Sequence, residues 1–71
     1  MVKEQEKADI ISALDFYFAA HPEKKEELLN NHTVSLSKND LLNEGFITEI
    51  NYYNNITVIY HDNGTYDIEG S

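Results

Sequence analysis

The side chains best suited to chemistry in this sequence are three histidines and four serines, and their spacing does not predict an active site. His21, His32 and His61 lie far apart in the chain, whereas zinc sites usually draw on paired ligands a few residues apart. Cysteine is absent, which excludes thiolate chemistry, and none of the serines has an obvious general base beside it. We therefore expect no catalytic residue, no metal ligand and no cofactor-binding residue.

Paired carboxylates are the remaining chemical possibility. Adjacent or alternating acids could in principle act as a general acid and base, but a chain of 71 residues leaves little room for a sheltered pocket that would shift their pKa values. The segment 62–67, DNGTYD, superficially resembles a calcium loop, yet it lacks the alternating ligands before its glycine and the glutamate at the twelfth position. We expect a protein that is not an enzyme.

The charge distribution indicates the class of partner. The chain has thirteen acidic residues, five lysines and no arginine, which gives a net charge of −8. Residues 1–38 hold seven acids and all five lysines, and residues 39–71 hold six acids and no base. Phosphate backbones and anionic lipid headgroups are normally bound by Lys and Arg, so direct nucleic-acid and membrane binding are disfavoured. A basic or neutral protein partner is expected.

The sequence carries no signal for export or for a membrane span. The first apolar stretch is interrupted by Asp9 and Asp15, and no run approaches the ~20 apolar residues that a spanning helix needs. The lack of cysteine fits a reducing compartment. We expect a cytoplasmic protein.

The helices can be predicted from apolar spacing and breakers. The pattern predicts an amphipathic helix over 3–20, with apolar residues at Ile10, Ile11, Leu14, Tyr17 and Phe18. Phe16 falls outside this stripe, as a flank contact or part of an exposed patch. Pro22 breaks the helix and begins a second, short one that Asn30 and Asn31 are expected to end.

The middle of the chain predicts an edge strand and a capped turn of helix. Residues 33–37 alternate between apolar and polar side chains, as a half-buried strand does. Ser37 and Asp40 have capping-box spacing, so they predict a helical turn through Leu41 and Leu42 that Gly45 ends.

The C-terminal third predicts two hairpins. Strand-like runs over 46–53, 56–61 and 65–69 are separated by Asn54-Asn55 and by Asn63-Gly64, both suited to two-residue turns. With such turns Ile59 lies opposite Ile68, and Leu14 and Phe18 are expected to pack against Ile50 and Ile59. The predicted fold is a single α+β domain over 1–71, an N-terminal amphipathic helix with short helices packed on a three- to four-stranded antiparallel β-meander.

The same register leaves an unusually apolar outer sheet face, which we expect to bind protein. An aromatic and aliphatic centre bordered by charge is a common interface composition. Its predicted protein-binding residues are Glu49, Tyr53, Ile56, Val58, Tyr60, Asp67 and Glu69. The alternative is a second core face covered by the short helices.

The expected function is that of a small acidic protein-binding module. It would inhibit or regulate a basic protein that handles nucleic acid, as a DNA mimic occupying a phosphate groove, in the manner of small phage or mobile-element inhibitors. One alternative is a homo-oligomeric structural or accessory protein, with the apolar face as a homodimer interface. A second is a winged-helix-like regulator acting through protein contacts, because the helix over 38–43 lacks the basic residues of a DNA reader.

Overall fold

The computed structural model describes residues 3–70, which form three helices and a three-stranded antiparallel sheet. The helices are α1 (Lys3–Ala20), α2 (Pro22–Asn31) and α3 (Lys38–Asn43), and the strands are β1 (Thr33–Ser37), β2 (Asn55–Tyr60) and β3 (Tyr66–Gly70). The strand order is β1-β2-β3. The predicted α+β class is confirmed, and the sheet has three strands in this part of the chain rather than four.

The two long helices form where the apolar spacing and the proline predict them. α1 buries Ile10, Leu14 and Phe18, and it ends where the His21 amide donates to the Tyr17 carbonyl, just before Pro22. The end of α2 differs from the prediction. The helix runs through Asn31, and His32 takes the left-handed conformation (φ +65°) with its amide bonded to the Leu28 carbonyl at 2.7 Å.

The predicted edge strand and capping box are both present. β1 pairs antiparallel with β2 and buries Val34 and Leu36. At the start of α3 the Ser37 hydroxyl accepts from the Asp40 amide at 3.3 Å, and the Asp40 carboxylate accepts from the Ser37 amide at 2.9 Å. Gly45, at φ +82°, follows α3 and turns the chain.

The predicted strand over 46–53 is wrong, since this segment forms an irregular loop. β2 takes β1 as its neighbour instead, so Asn54-Asn55 is not a hairpin turn and Asn55 begins β2. In the loop the buried side chains are Ile50 and Tyr53, three residues apart, whereas a strand buries alternate residues on one face. The segment follows the contour of α1 rather than a sheet edge.

The second hairpin forms, but its loop is one residue longer than predicted. The His61 amide donates to the Thr65 carbonyl and the Gly64 amide to the His61 carbonyl, both at 2.9 Å, around the three-residue loop 62–64. Gly64, at φ +87°, fills the left-handed position that such loops require. The register therefore pairs Tyr60 with Tyr66 and Val58 with Ile68.

This one-residue difference exchanges the two faces of β2, because side chains alternate along a strand. Ile56 and Val58 join Ile68 in the core beneath α1 and α2. Ile59, predicted to contact Leu14 and Phe18, lies half-buried on the opposite face, across from Asp67. That opposite face carries mostly polar side chains: Thr33, Ser35, Thr57, Asp67 and Glu69.

The element order also corresponds to that assumed for the winged-helix alternative, two helices, a strand, a short helix and a hairpin. The helix that would read DNA, α3, is six residues long and carries one lysine against Asp40. This composition lacks the basic stripe of a DNA-reading helix.

Candidate protein-binding surface

The apolar centre of the predicted binding face lies in the core. Ile56, Val58 and Tyr53 are at most 3% exposed, and Tyr60 is half-buried. The expectation of an exposed apolar sheet face is therefore wrong, because these residues lie on the face that α1 and α2 cover. The alternative, a second core face covered by the short helices, does not describe the sheet either, since its opposite face carries mostly polar side chains. For Ile56, Val58 and Tyr60 the cause of burial is the longer turn at Gly64, which turns these β2 side chains inward, whereas Tyr53 is buried from the loop that precedes β2.

The acidic residues predicted to border that centre are separated in the fold. Asp67 and Glu69 project from β3 on the polar sheet face, while Glu49 is exposed in the loop between α3 and β2. Glu49 instead lines a surface groove between this loop and α1. The acids remain accessible, but they do not surround one apolar patch.

The surface of this fold presents a different apolar feature, a stacked pair of phenylalanines. Phe16 on α1 is 59% exposed and Phe46 in the loop is 51% exposed. Their ring centroids are 4.9 Å apart with an interplanar angle of 24°. Large side chains that stay exposed next to each other are typical of interaction sites. We call Phe16, Phe46 and the groove beside them the Phe16–Phe46 groove.

α1 supplies one wall of the groove through a second stripe of its surface. Asp9, Ser12, Ala13 and Phe16 follow the i, i+3, i+4, i+7 spacing that places residues on one helix face. This stripe lies beside the buried stripe that includes Ile10 and contacts the sheet. One helix therefore provides a core contact and a surface wall together.

The loop supplies the other wall and is held from below by Glu6. This carboxylate is 1% exposed and accepts hydrogen bonds from the backbone amides of Asn51 and, at 3.0 Å, of Tyr52. The buried side chains of Ile50 and Tyr53 fix the same stretch in the core. The loop backbone is thus tied to α1 without a neighbouring strand.

The groove has a volume of about 440 Å³ and an acidic, partly apolar lining. Its lining residues are Asp9, Ser12, Ala13, Phe16, Phe46, Ile47, Thr48 and Glu49. It therefore combines two carboxylates and two hydroxyls with an aromatic pair, and no lysine contributes to it. Such a lining suits an apolar or cationic side chain of a binding partner.

Two of the five lysines, Lys7 and Lys25, form close contacts with acidic and aromatic side chains of the chain itself. Lys7 forms an ion pair with Asp67 at 2.9 Å, which raises the pKa of the lysine and lowers that of the carboxyl. Lys25 donates to the Tyr66 hydroxyl at 2.6 Å and lies over the rings of Tyr60 and Tyr66. These cations stabilise the fold and leave the exposed surface dominated by carboxylates.

A cluster of aromatic and charged side chains around His21 lies where the ends of the three helices meet. The His21 ring packs on Tyr17 with centroids 4.6 Å apart, donates to Glu44 beyond α3, and has Glu23 at 3.4 Å. The hydrogen bond with Glu44 is the main cause of the raised pKa of His21, which burial partly opposes. Burial in turn raises the pKa of Tyr17.

Residues 3–70 contain no group of three His, Asp or Glu side chains arranged to hold a metal ion. A second groove of about 360 Å³, beside Tyr53 and β3, is lined by charges of both signs, including Lys3, Lys7 and Glu69. Within the same described range, no helix is long and apolar enough to cross a bilayer. The Phe16–Phe46 groove is thus the feature with the clearest chemical preference.

Two residues of this groove, Phe16 and Glu49, are singled out by the sequence, but for other surfaces. The spacing of α1 leaves Phe16 outside the buried stripe, as a flank contact or part of an exposed patch, and the predicted register places Glu49 at the border of the outer sheet face. Phe46 could not be predicted as part of this groove, because residues 46–53 were predicted to form a strand of the sheet. The residue that could have indicated a loop here is Gly45, which takes a left-handed conformation directly before Phe46.

The chain matches no protein family model, and no match to it was found among curated proteins or solved structures.

Proposed function

We propose that this chain is a small acidic protein-binding module that docks on a basic protein and inhibits or regulates it. The partner class is a protein that handles nucleic acid, whose phosphate-binding surface is basic and would accept an acidic mimic. The lack of cysteine supports action in the cytoplasm, and the proposal extends to an inhibitor of phage or mobile-element type by analogy alone. No catalytic role is part of this proposal.

The observation that carries the proposal is the pair of exposed, stacked rings of Phe16 and Phe46 in a groove that Asp9 and Glu49 also line. Aromatic side chains at the centre of an interface contribute most of its binding energy, while charges at the border raise the rate of encounter. A basic protein could contact both the aromatic pair and the two carboxylates of this groove.

A second copy of the chain fits the groove less well. Each protomer carries a net charge of −8, and a symmetric dimer through this groove would bring Asp9 and Glu49 of the two copies together. Like charges at an interface oppose association. The charge therefore favours a basic partner over the homodimer alternative.

The test is affinity capture from the source cells, with the wild-type chain and two variants immobilised in parallel. Phe16→Ser with Phe46→Ser removes the aromatic pair, and Leu29→Ser removes a similarly exposed apolar side chain (48%) on α2 as a matched control. We expect a basic protein that wild type and the control retain and the double variant loses, with binding weakened by about 30-fold or more. Circular dichroism verifies that each variant is folded.

Two further measurements complete the test. The association rate with the identified protein should fall as salt is raised, and the complex should have reduced nucleic-acid binding. Equal retention of the same basic protein by the double variant would refute the role of the groove. Sedimentation showing a tight dimer at low micromolar concentration, abolished by the double variant, would establish the homo-oligomer alternative instead.

A further inference from the structure

The cluster of Phe18, Tyr60 and Tyr66 and the single ring of Tyr53 are each accompanied by a lysine of the chain itself. Lys25 lies 4.7 Å from the ring centroid of Tyr60, 4.9 Å from that of Tyr66 and 5.8 Å from that of Phe18. Lys3 lies 5.3 Å from the ring of Tyr53. The sequence thus repeatedly places a positive charge over an electron-rich ring face.

The Phe16–Phe46 pair differs from these clusters. Among residues 3–70, no lysine lies over either ring, although both are more than half exposed. The groove beside the pair holds the carboxylates of Asp9 and Glu49. Ring faces and carboxylates together form the environment that a cation prefers, and here the chain does not supply the cation.

We propose that the Phe16–Phe46 groove takes an arginine side chain from the basic partner, a proposal that rests on the protein-binding function proposed above. The guanidinium plane would stack on the exposed ring of Phe16 or Phe46, and its N–H groups would donate to Asp9 or Glu49. The aliphatic stem would cover the apolar lining at Ala13 and Ile47.

Arginine fits this environment better than lysine for three physical reasons. Its guanidinium is planar and stacks on aromatic faces, it binds a carboxylate through two parallel hydrogen bonds, and it is less strongly hydrated than an ammonium group. The chain contains no arginine, so neither an internal side chain nor a second copy can occupy the groove in this way.

The experiment uses peptide probes and the full chain labelled with ¹⁵N. An acetylated hexapeptide with three arginines alternating with alanines is titrated into the protein, followed by twins with lysine or neutral citrulline at the same positions. We expect the amide shifts to cluster at residues 12–16 and 46–49, and the arginine peptide to bind about threefold more tightly than the lysine peptide. The citrulline peptide should bind weakest, because it lacks the charge.

Variants test the two parts of the groove. Phe46→Leu should remove the preference for arginine over lysine, since leucine retains apolar volume but has no ring face. Glu49→Gln should weaken the binding of both cationic peptides, and Glu27→Gln, an exposed acid on α2, serves as the control.

The outcomes separate this inference from the proposed function. Equal binding of the arginine and lysine peptides, or shifts spread over the acidic surface without a cluster at the groove, would overturn the arginine site and leave a basic partner in place. Binding of neither cationic peptide would overturn both proposals. Clustered shifts with an arginine preference that Phe46→Leu removes would support them together.

Discussion

Replacement of Glu6 tests how the loop wall of the groove is held. Hydrogen bonds to a charged acceptor contribute about 1.5–3 kcal/mol each, and Glu6 accepts two from the loop backbone. Glu6→Gln keeps one acceptor oxygen but turns an amide N–H₂ toward the second backbone N–H. We therefore expect the free energy of unfolding to fall by about 1–3 kcal/mol. Glu6→Ala leaves both amides unpaired, and its cost should approach the ~3–5 kcal/mol that a domain of this size usually has.

The assay combines urea denaturation, followed by circular dichroism, with amide hydrogen exchange. In Glu6→Gln the amides of Asn51 and Tyr52 should exchange faster relative to those of β2, because their acceptor is altered while the sheet is retained. Glu4→Gln is the matched control, since Glu4 is exposed on the same first turn of α1 and should change stability by less than about 0.5 kcal/mol. Unchanged exchange at Asn51 and Tyr52 in Glu6→Gln would refute the anchoring role.

Two further predictions address the sheet register and the helix junction. Val58→Thr should lower the free energy of unfolding by about 1–3 kcal/mol, because it buries a hydroxyl. Ile59→Thr, on the opposite face of β2, should lower it by less than about 1 kcal/mol. Urea denaturation that shows the larger loss for Ile59→Thr would contradict the register. The raised pKa of His21 means that its bond with Glu44 stabilises the fold fully below the ordinary pKa of 6.5 and is lost as pH rises through the higher folded-state value. The melting temperature should therefore fall with rising pH above about 6.5 more in wild type than in His21→Asn, and equal slopes would contradict this.

The helices were predictable because their signals are local. The apolar spacing of α1, the proline that begins α2 and the capping box of Ser37 and Asp40 each act within a few residues, and all three appear in the fold. The sheet was less predictable because its register depends on whether Asn63-Gly64 forms a two-residue or a three-residue turn. Both turns use the same residue types, and one residue decides which face of β2 is buried.

The Phe16–Phe46 groove forms because β2 pairs with β1, and no local sequence pattern predicts that pairing. β2 could take residues 46–53 or β1 as its neighbour, and the alternation in both segments permitted either. The choice of β1 leaves the loop free to follow α1, where Glu6 binds its amides and Phe46 reaches Phe16. Glu6 is one of two acids in the first turn of α1, and nothing in the residues around it distinguishes it from the exposed Glu4, so its burial could not be predicted from the sequence.

The position of β3 at the edge of the sheet has a consequence for the behaviour of the protein at high concentration. An edge strand exposes unpaired amides and carbonyls that can pair with the same strand of another molecule. Here the edge carries Asp67 and Glu69, and antiparallel pairing of two β3 strands would bring acid against acid. Near the isoelectric point of about 4.5 the net charge that keeps the molecules apart falls to zero, which favours association. Asp67 should stay ionised there, because its hydrogen bond with Lys7 lowers the pKa of the carboxyl, so the β3 edge should still oppose strand-to-strand pairing.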